Sequence, residues 1–195
     1  MIHGAVLAGG DSSRMGSDKA EIVFQGKPLW RRQIGILREA GAERVFLVRR
    51  PGQSAPEGIA CLRDTVADAG PMAGLHAALA EGSAPLVAVL AVDMPAIDAA
   101  WFRGLLGLCR PGVGAMGRHG DICEPLAAIY PAEALAEVTA RLERRDLSLQ
   151  RLAAALAAAG RMTIVPLSTA AAAQTGSVNT AAELKSVKAS AKPAR

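Results

Sequence analysis

Residues 86–95 read LVAVLAVDMP. Every position from Leu86 to Val92 is apolar, with no alternation, and the run ends directly on Asp93 and Pro95. A strand that keeps one face in water alternates, so an unbroken run closed by a turn signal fits a central strand covered on both sides, as in a parallel sheet. Outward from this stretch, Ile2 to Ala8, Arg44 to Val48 and Ile59 to Leu62 are further short β-rich runs. Between them, Pro28 to Ala40 sets Leu29, Ile34, Ile36, Leu37 and Ala40 at roughly helical spacing. Met72 to Ala80 reads as a helix started by Pro71, and Asp98 is suited to cap a helix through Trp101, Phe102, Leu105 and Leu106. Strands alternating with helices predict an α/β, Rossmann-like fold: a doubly wound, mostly parallel sheet with helices on both faces.

After Gly112 the units shorten. Val113 to Met116, Cys123 to Tyr130, helices near Pro131 to Glu143 and Ser148 to Ala159, and Thr163 to Pro166 read as an insertion region continuing the same domain. Ala153 to Ala159 fits a helix, and Ala170 to Ala173 fits a weakly packed loop. At 195 residues the expectation is one domain over residues 1–184 and a basic tail over 185–195 that frays.

Composition narrows the function classes. Hydrophobic residues make up 51% and aromatics 3%, so the core is built from Leu, Val, Ile and Ala, and a disordered chain is excluded. The net charge of +4 divides into +4 over residues 1–50, −4 over 51–184 and four cations in the tail. A sequence-independent nucleic-acid binder would spread cations along its body with aromatics between them, so no nucleic-acid partner is expected. The uncharged stretch between Arg161 and Glu183 contains Pro166, Gln174, Gly176 and Asn179, which argues against a membrane span. The N-terminus lacks the basic region of a signal peptide. Cys61, Cys109 and Cys123 show no C-x-x-C spacing, which points away from disulfide frameworks and zinc and toward a reducing cytoplasm.

The segment from Leu7 to Lys19, LAGGDSSRMGSDK, directly follows the first strand. Doubly wound sheets bind ligands at the carboxyl ends of their strands. Gly9 and Gly10 let backbone amides approach a ligand closely, and Arg14 and Lys19 add positive charge, a combination suited to a polyphosphate. Neither G-x-G-x-x-G nor the Walker pattern fits the spacing. Asp93 stands at the mouth of the sheet after its buried strand. Mg²⁺ takes one or two carboxylates plus substrate phosphates, so Asp93 is a candidate metal ligand, with a capping carboxylate as the alternative. Asp64 occupies a similar place after Leu62, and a turn residue is its alternative. His3, His76 and His119 share no metal-ligand spacing.

The stretch LAGGDSSRMGSDKAEIVFQGKPLW resembles the signature of nucleoside-triphosphate transferases, in particular the molybdenum cofactor guanylyltransferases. The likeness continues through Asp64-Thr65, Gly70-Pro71-Met72-Ala73-Gly74, Asp93-Met94-Pro95, Glu124-Pro125-Leu126 and Val178-Asn179-Thr180. The resemblance implies transfer of GMP from GTP to the terminal phosphate of molybdenum-loaded molybdopterin, with Mg²⁺ as cofactor and pyrophosphate as product. It further implies nucleotide contacts from Leu7, Ala8, Gly9, Gly10, Lys19, Asp64 and Asp93. Arg14, Lys19 and Asp93 would be the catalytic groups, Asp93 the metal ligand, and Asn179 an acceptor contact or a helix cap. Proteins of molybdoenzyme maturation are candidate partners. Arg118, His119 and Asp121 are a candidate acceptor wall or a solvated loop. The sequence departs from the family at Val48-Arg49-Arg50, where an Asn often follows the strand, which makes Arg49 a candidate phosphate contact instead. The alanine-rich 170–177 segment lacks an aromatic often found there. A cytidylyltransferase, another phosphorylated acceptor, and a nucleotide-binding maturation factor without turnover are the other readings.

Overall fold

The computed structural model describes residues 1–9, 18–64 and 66–178. Its first strand, β1 (His3–Leu7), lies in the middle of the sheet. A 3₁₀ turn at Lys19–Glu21 then leads into a small hairpin of β2 (Val23–Phe24) and β3 (Lys27–Pro28). Its two-residue turn has Gln25 at φ 50° and Gly26 at φ 78°, the left-handed pair that matches the twist of a tight hairpin. Next come α1 (Leu29–Glu39), β4 (Arg44–Arg49), β5 (Cys61–Arg63), α2 (Pro71–Ala80), β6 (Leu86–Ala91) and α3 (Ala99–Leu106). The Asp98 carboxylate caps α3 by accepting the Trp101 N–H at 3.0 Å, as the sequence suggested, and Pro71 sits in the first turn of α2.

β7 (Gly114–His119), β8 (Ile122–Cys123), β9 (Ala127–Pro131), α4 (Ala134–Glu143), α5 (Leu149–Ala158), β10 (Met162–Pro166) and the short α6 (Thr169–Ala172) complete the described chain. The sheet order is β10-β7-β9-β6-β1-β4-β5, with β8 paired to β7. β1 is parallel to β4 and β6, β4 to β5, and β10 to β7; β9 runs antiparallel to β6 and β7. The segment after Gly112 is therefore one wing of the sheet and not an insertion. The span expected as one unit, Cys123 to Tyr130, is broken by Glu124-Pro125-Leu126 into β8 and β9. The link from β7 to β9 is far too short for the crossover that parallel pairing needs, which accounts for the reversed strand.

Alternation along the central strands sorts the core into two layers. Val6, Ala88 and Leu90 point to the side covered by Ile34 and Leu37 of α1 and Phe102 and Leu105 of α3. Ala5, Leu7, Val87 and Val89 point to the side covered by Met72, Leu75 and Leu79 of α2, with Val138 of α4 and Leu152 and Leu156 of α5. β6 is buried on both faces, as its unbroken apolar run predicted. Ala170 to Ala173 departs from the loop expectation: Ser168 accepts the Ala171 N–H at 3.2 Å and starts a helical turn, although none of α6 is buried. No helix among the described residues is long and apolar enough to cross a membrane. The tail at 185–195 lies outside the described residues.

Candidate active site

The parallel strands end on one edge of the sheet, and there a cavity of about 250 Å³ opens between the ends of β1, β4 and β6. Leu7, Ala8 and Gly9 form its floor. The strand register extends past the last strand residues: Ala8 N–H donates to the Val48 carbonyl at 2.9 Å, and Val92 N–H to the Leu7 carbonyl at 3.0 Å. Gly9 sits close to its neighbours. A Cβ there would lie 3.2 Å from both Arg50 Cγ and Asp64 Oδ2, so a side chain would crowd the two charged groups that line the cavity beside it.

Lys19 and Asp93 face each other across the opening, with Nζ 3.4 Å from Oδ2 and both side chains partly exposed. Asp93 follows β6, and the turn that carries it is tied down on several sides. Gln33 of α1, wholly buried, donates from Nε2 to the Met94 carbonyl at 2.9 Å and lies within 3.5 Å of those of Ala91 and Val92. Val178 N–H donates to the Asp93 carbonyl at 2.8 Å, and Ala91 N–H to the Leu126 carbonyl at 2.8 Å. The end of the described chain and the start of β9 are thus brought to the Asp93 turn.

Asp64 is buried at the cavity wall after β5. Burial pushes its carboxyl above the ordinary range, and the Arg50 guanidinium partly offsets this. A second hollow of about 520 Å³ shares Arg50, Asp64 and Gly70 with the first and extends it along the edge. On the wing formed by β7, β8 and β9, the Thr175 hydroxyl donates to Glu124 Oε1 at 2.8 Å. Burial raises the Glu124 carboxyl as well, against the pull of that hydrogen bond.

Leu7, Ala8, Gly9, Lys19, Asp64 and Asp93, chosen from widely separated parts of the chain, all line this one cavity. Gly10, Arg14 and Asn179 lie outside the described residues. Arg49 corrects an expectation. It does not reach a phosphate site but is fully buried, with its guanidinium on Asp18 and on Glu21, the latter at 3.1 Å. Arg50, the next residue in the chain, lines the cavity in its place. Side chains alternate along a strand, so Val48 and Arg50 share a face that Arg49 does not, and that period of two was the signal available in the sequence. Gln33 carried no such signal, since nothing near it marks the turn it holds. Arg118, His119 and Asp121 stand exposed on the β7–β8 hairpin and do not line the cavity. His3, far from them at the opposite edge, is buried 3.2 Å from Ser83 Oγ. No group of three or more His, Cys, Asp or Glu among the described residues is placed to hold a metal ion.

A cavity at the carboxyl edge of a doubly wound sheet, lined by Lys19, Asp64 and Asp93, has the architecture of a nucleotide-handling α/β protein. Residues 4–162 match the model of the MobA-like NTP transferase domain, and the chain belongs to that family of nucleotidyltransferases. It is 52% identical over 170 residues to a probable molybdenum cofactor guanylyltransferase of Opitutus terrae, an alignment covering 85% of this chain and 84% of that one. It is 38% identical over 156 residues to a protein of the same designation from Deinococcus radiodurans, covering 79% and 80%. The fold matches the crystal structure of molybdopterin-guanine dinucleotide biosynthesis protein A from Archaeoglobus fulgidus with a TM-score of 0.76 over 97% of both chains, at 22% identity.

Proposed function

We propose that the chain transfers GMP from GTP to the terminal phosphate of molybdenum-loaded molybdopterin. The observation that carries this reading is the Lys19 and Asp93 pair at 3.4 Å over a glycine-floored cavity, in a chain whose relatives are named for that reaction. An oxygen of the acceptor phosphate attacks the α-phosphorus of GTP in line. The bond from that phosphorus to the bridging oxygen breaks, and its electron pair leaves with pyrophosphate. The protein's part is to orient the phosphates and stabilise their moving charge. Lys19 serves the charge that develops on the departing group, joined in this reading by Arg14. Leu7 to Gly10 approach the nucleotide with their backbone, Asp64 contacts it from the wall, and Asn179 is assigned to the acceptor side.

Asp93 suits a Mg²⁺ ion carried in by the nucleotide. Its carboxylate is a hard oxygen donor at the cavity mouth, and with no cluster of three protein ligands among the described residues, the other donors would be phosphate oxygens and water, the set this ion favours. When bound, Mg²⁺ would neutralise phosphate charge. The test is to give the protein, Mg²⁺ and molybdenum-loaded molybdopterin each of GTP, CTP, ATP and UTP in turn and measure pyrophosphate. Release with GTP is expected. Release only with CTP would move the assignment to a cytidylyltransferase, and stable nucleotide binding with no release would replace the enzyme reading with a nucleotide-binding maturation factor.

A further inference from the structure

We propose that Arg49 is a positioning residue for Lys19: it occupies the two carboxylates that flank Lys19 in the chain and so keeps the Lys19 ammonium directed at Asp93 and the cavity. The inference rests on the reading of Lys19 as the cation of nucleotidyl transfer.

Asp18 precedes Lys19 and Glu21 follows it by two residues, so two of the nearest neighbours of a phosphate-binding cation are acids. An ammonium on a flexible stem goes to whichever carboxylate is uncompensated and close. Arg49 removes both competitors. One terminal nitrogen donates to Asp18 Oδ2 and the other to Glu21 Oε1 at 3.1 Å, a division of labour that a guanidinium fork allows and a point charge does not. The remaining carboxylate oxygens are also engaged. Asp18 Oδ1 accepts the Ala20 N–H at 2.9 Å, and Glu21 Oε2 accepts the Trp30 indole N–H at 3.2 Å. With both acids so held, Lys19 lies against Asp93. The arrangement is costly, which argues that it has a use. Arg49 ends a strand whose other buried side chains are apolar, its side chain has no exposure, and its Nε finds no partner among the described residues. A Val or Ile there would avoid burying a charge.

The experiment compares wild type with Arg49→Met, the triple variant Arg49→Met, Asp18→Asn, Glu21→Gln, and Arg49→Lys. Asparagine still caps the turn, and glutamine still accepts from Trp30. With folding checked by circular dichroism and melting temperature, Arg49→Met should lower kcat for pyrophosphate release about 10²-fold, the scale of a misplaced catalytic group. The triple variant should regain at least about tenfold of that loss, because no acid remains to capture Lys19. A folded Arg49→Met at near wild-type rate, or a folded triple variant as slow as Arg49→Met, would overturn the proposal, since a purely structural arginine is not rescued by removing its partners. If Arg49→Met does not fold, Arg49→Lys answers with and without Glu21→Gln: recovery in the double variant is expected, and equal rates overturn the proposal. If wild type releases no pyrophosphate with any triphosphate, the functional reading fails separately. Capture is then read from acetylation of Lys19 by acetic anhydride, slower in Arg49→Met than in wild type and restored in the triple variant; equal acetylation rates overturn it.

Discussion

The turn that carries Lys19 and the turn that carries Asp93 meet at 3.4 Å, yet they are held by opposite means. The Lys19 turn is held by charge, with Arg49 bridging Asp18 and Glu21. The Asp93 turn is held by a neutral amide, with Gln33 donating to the backbone on both sides of the aspartate. The difference follows from what each group must do. A lysine flanked by acids has to be protected from them, and only a second cation does that. Under the proposed function Asp93 gives its charge to a metal ion, and Lys19 already stands 3.4 Å from it, so the turn is fixed without a further cation on the carboxylate. Held by uncharged donors, the Asp93 turn is fixed while its carboxylate is left to the cavity.

The bluntest way to break the comparison is to remove what the turns present. Lys19→Ala and Asp93→Ala should each leave the melting temperature near wild type and lower pyrophosphate release by about 10³-fold, at the upper end for loss of one charge-stabilising group. Steady-state assays and calorimetry decide this. Either variant retaining near wild-type turnover would show that the turn positions something else.

Changing the neutral clamp separates the two designs. Gln33→Leu leaves buried carbonyls without their donor and should cost about 1 to 3 kcal/mol of stability, together with about tenfold in kcat from a loosened Asp93 turn. Gln33→Glu is sharper because its sign depends on pH. Made together with Arg32→Met, which removes the guanidinium that donates to Gln33 Oε1 at 3.0 Å, the new carboxyl faces three carbonyls and fits only when protonated, so its pKa in the folded state must lie above the unfolded value. The variant should therefore be near Gln33→Leu or better in acid and lose stability as the pH rises through that raised pKa. Urea unfolding at several pH values measures it; a variant whose stability rises with pH would mean that Gln33 does not face the carbonyls in solution.

The two turns also differ in how far the sequence revealed them. Asp93 was legible because it ends an unbroken apolar run, and burial on both faces of a sheet leaves that mark in any sequence. Lys19 was legible through its glycine loop and the family pattern. What holds each turn was not. Gln33 sits on an amphipathic helix where a polar residue ordinarily faces water, and its burial arises only when α1 packs beside the β6 turn. Arg49 and Arg50 look equivalent in the chain, and the strand's period of two separates them only once the register is known. The reversal of β9 was hidden for a similar reason, since a short buried strand reads alike in either direction. The hairpin at Gln25 and Gly26 was missed because each of its strands is only two residues long.

Asp64 gives the smallest effect and the finest test, because in the same cavity it stands as a buried carboxylate whose burial cost is only partly offset, by Arg50. A carboxyl whose folded pKa is raised favours the folded state while protonated, and that contribution is lost as the pH rises through the raised value. Near pH 7 the ionised group is therefore a burden on the unliganded protein, acceptable if a nucleotide uses it. Asp64→Asn keeps the shape and removes the ionisation. It should raise the melting temperature of the unliganded protein near neutral pH, with the gap closing as the pH falls through that raised value and wild type is itself protonated. GTP affinity should fall in the same variant. A wild type more stable than Asp64→Asn at neutral pH would mean that Asp64 is compensated as fully as Asp18, and that the cavity wall, like the Lys19 turn, is held by charge.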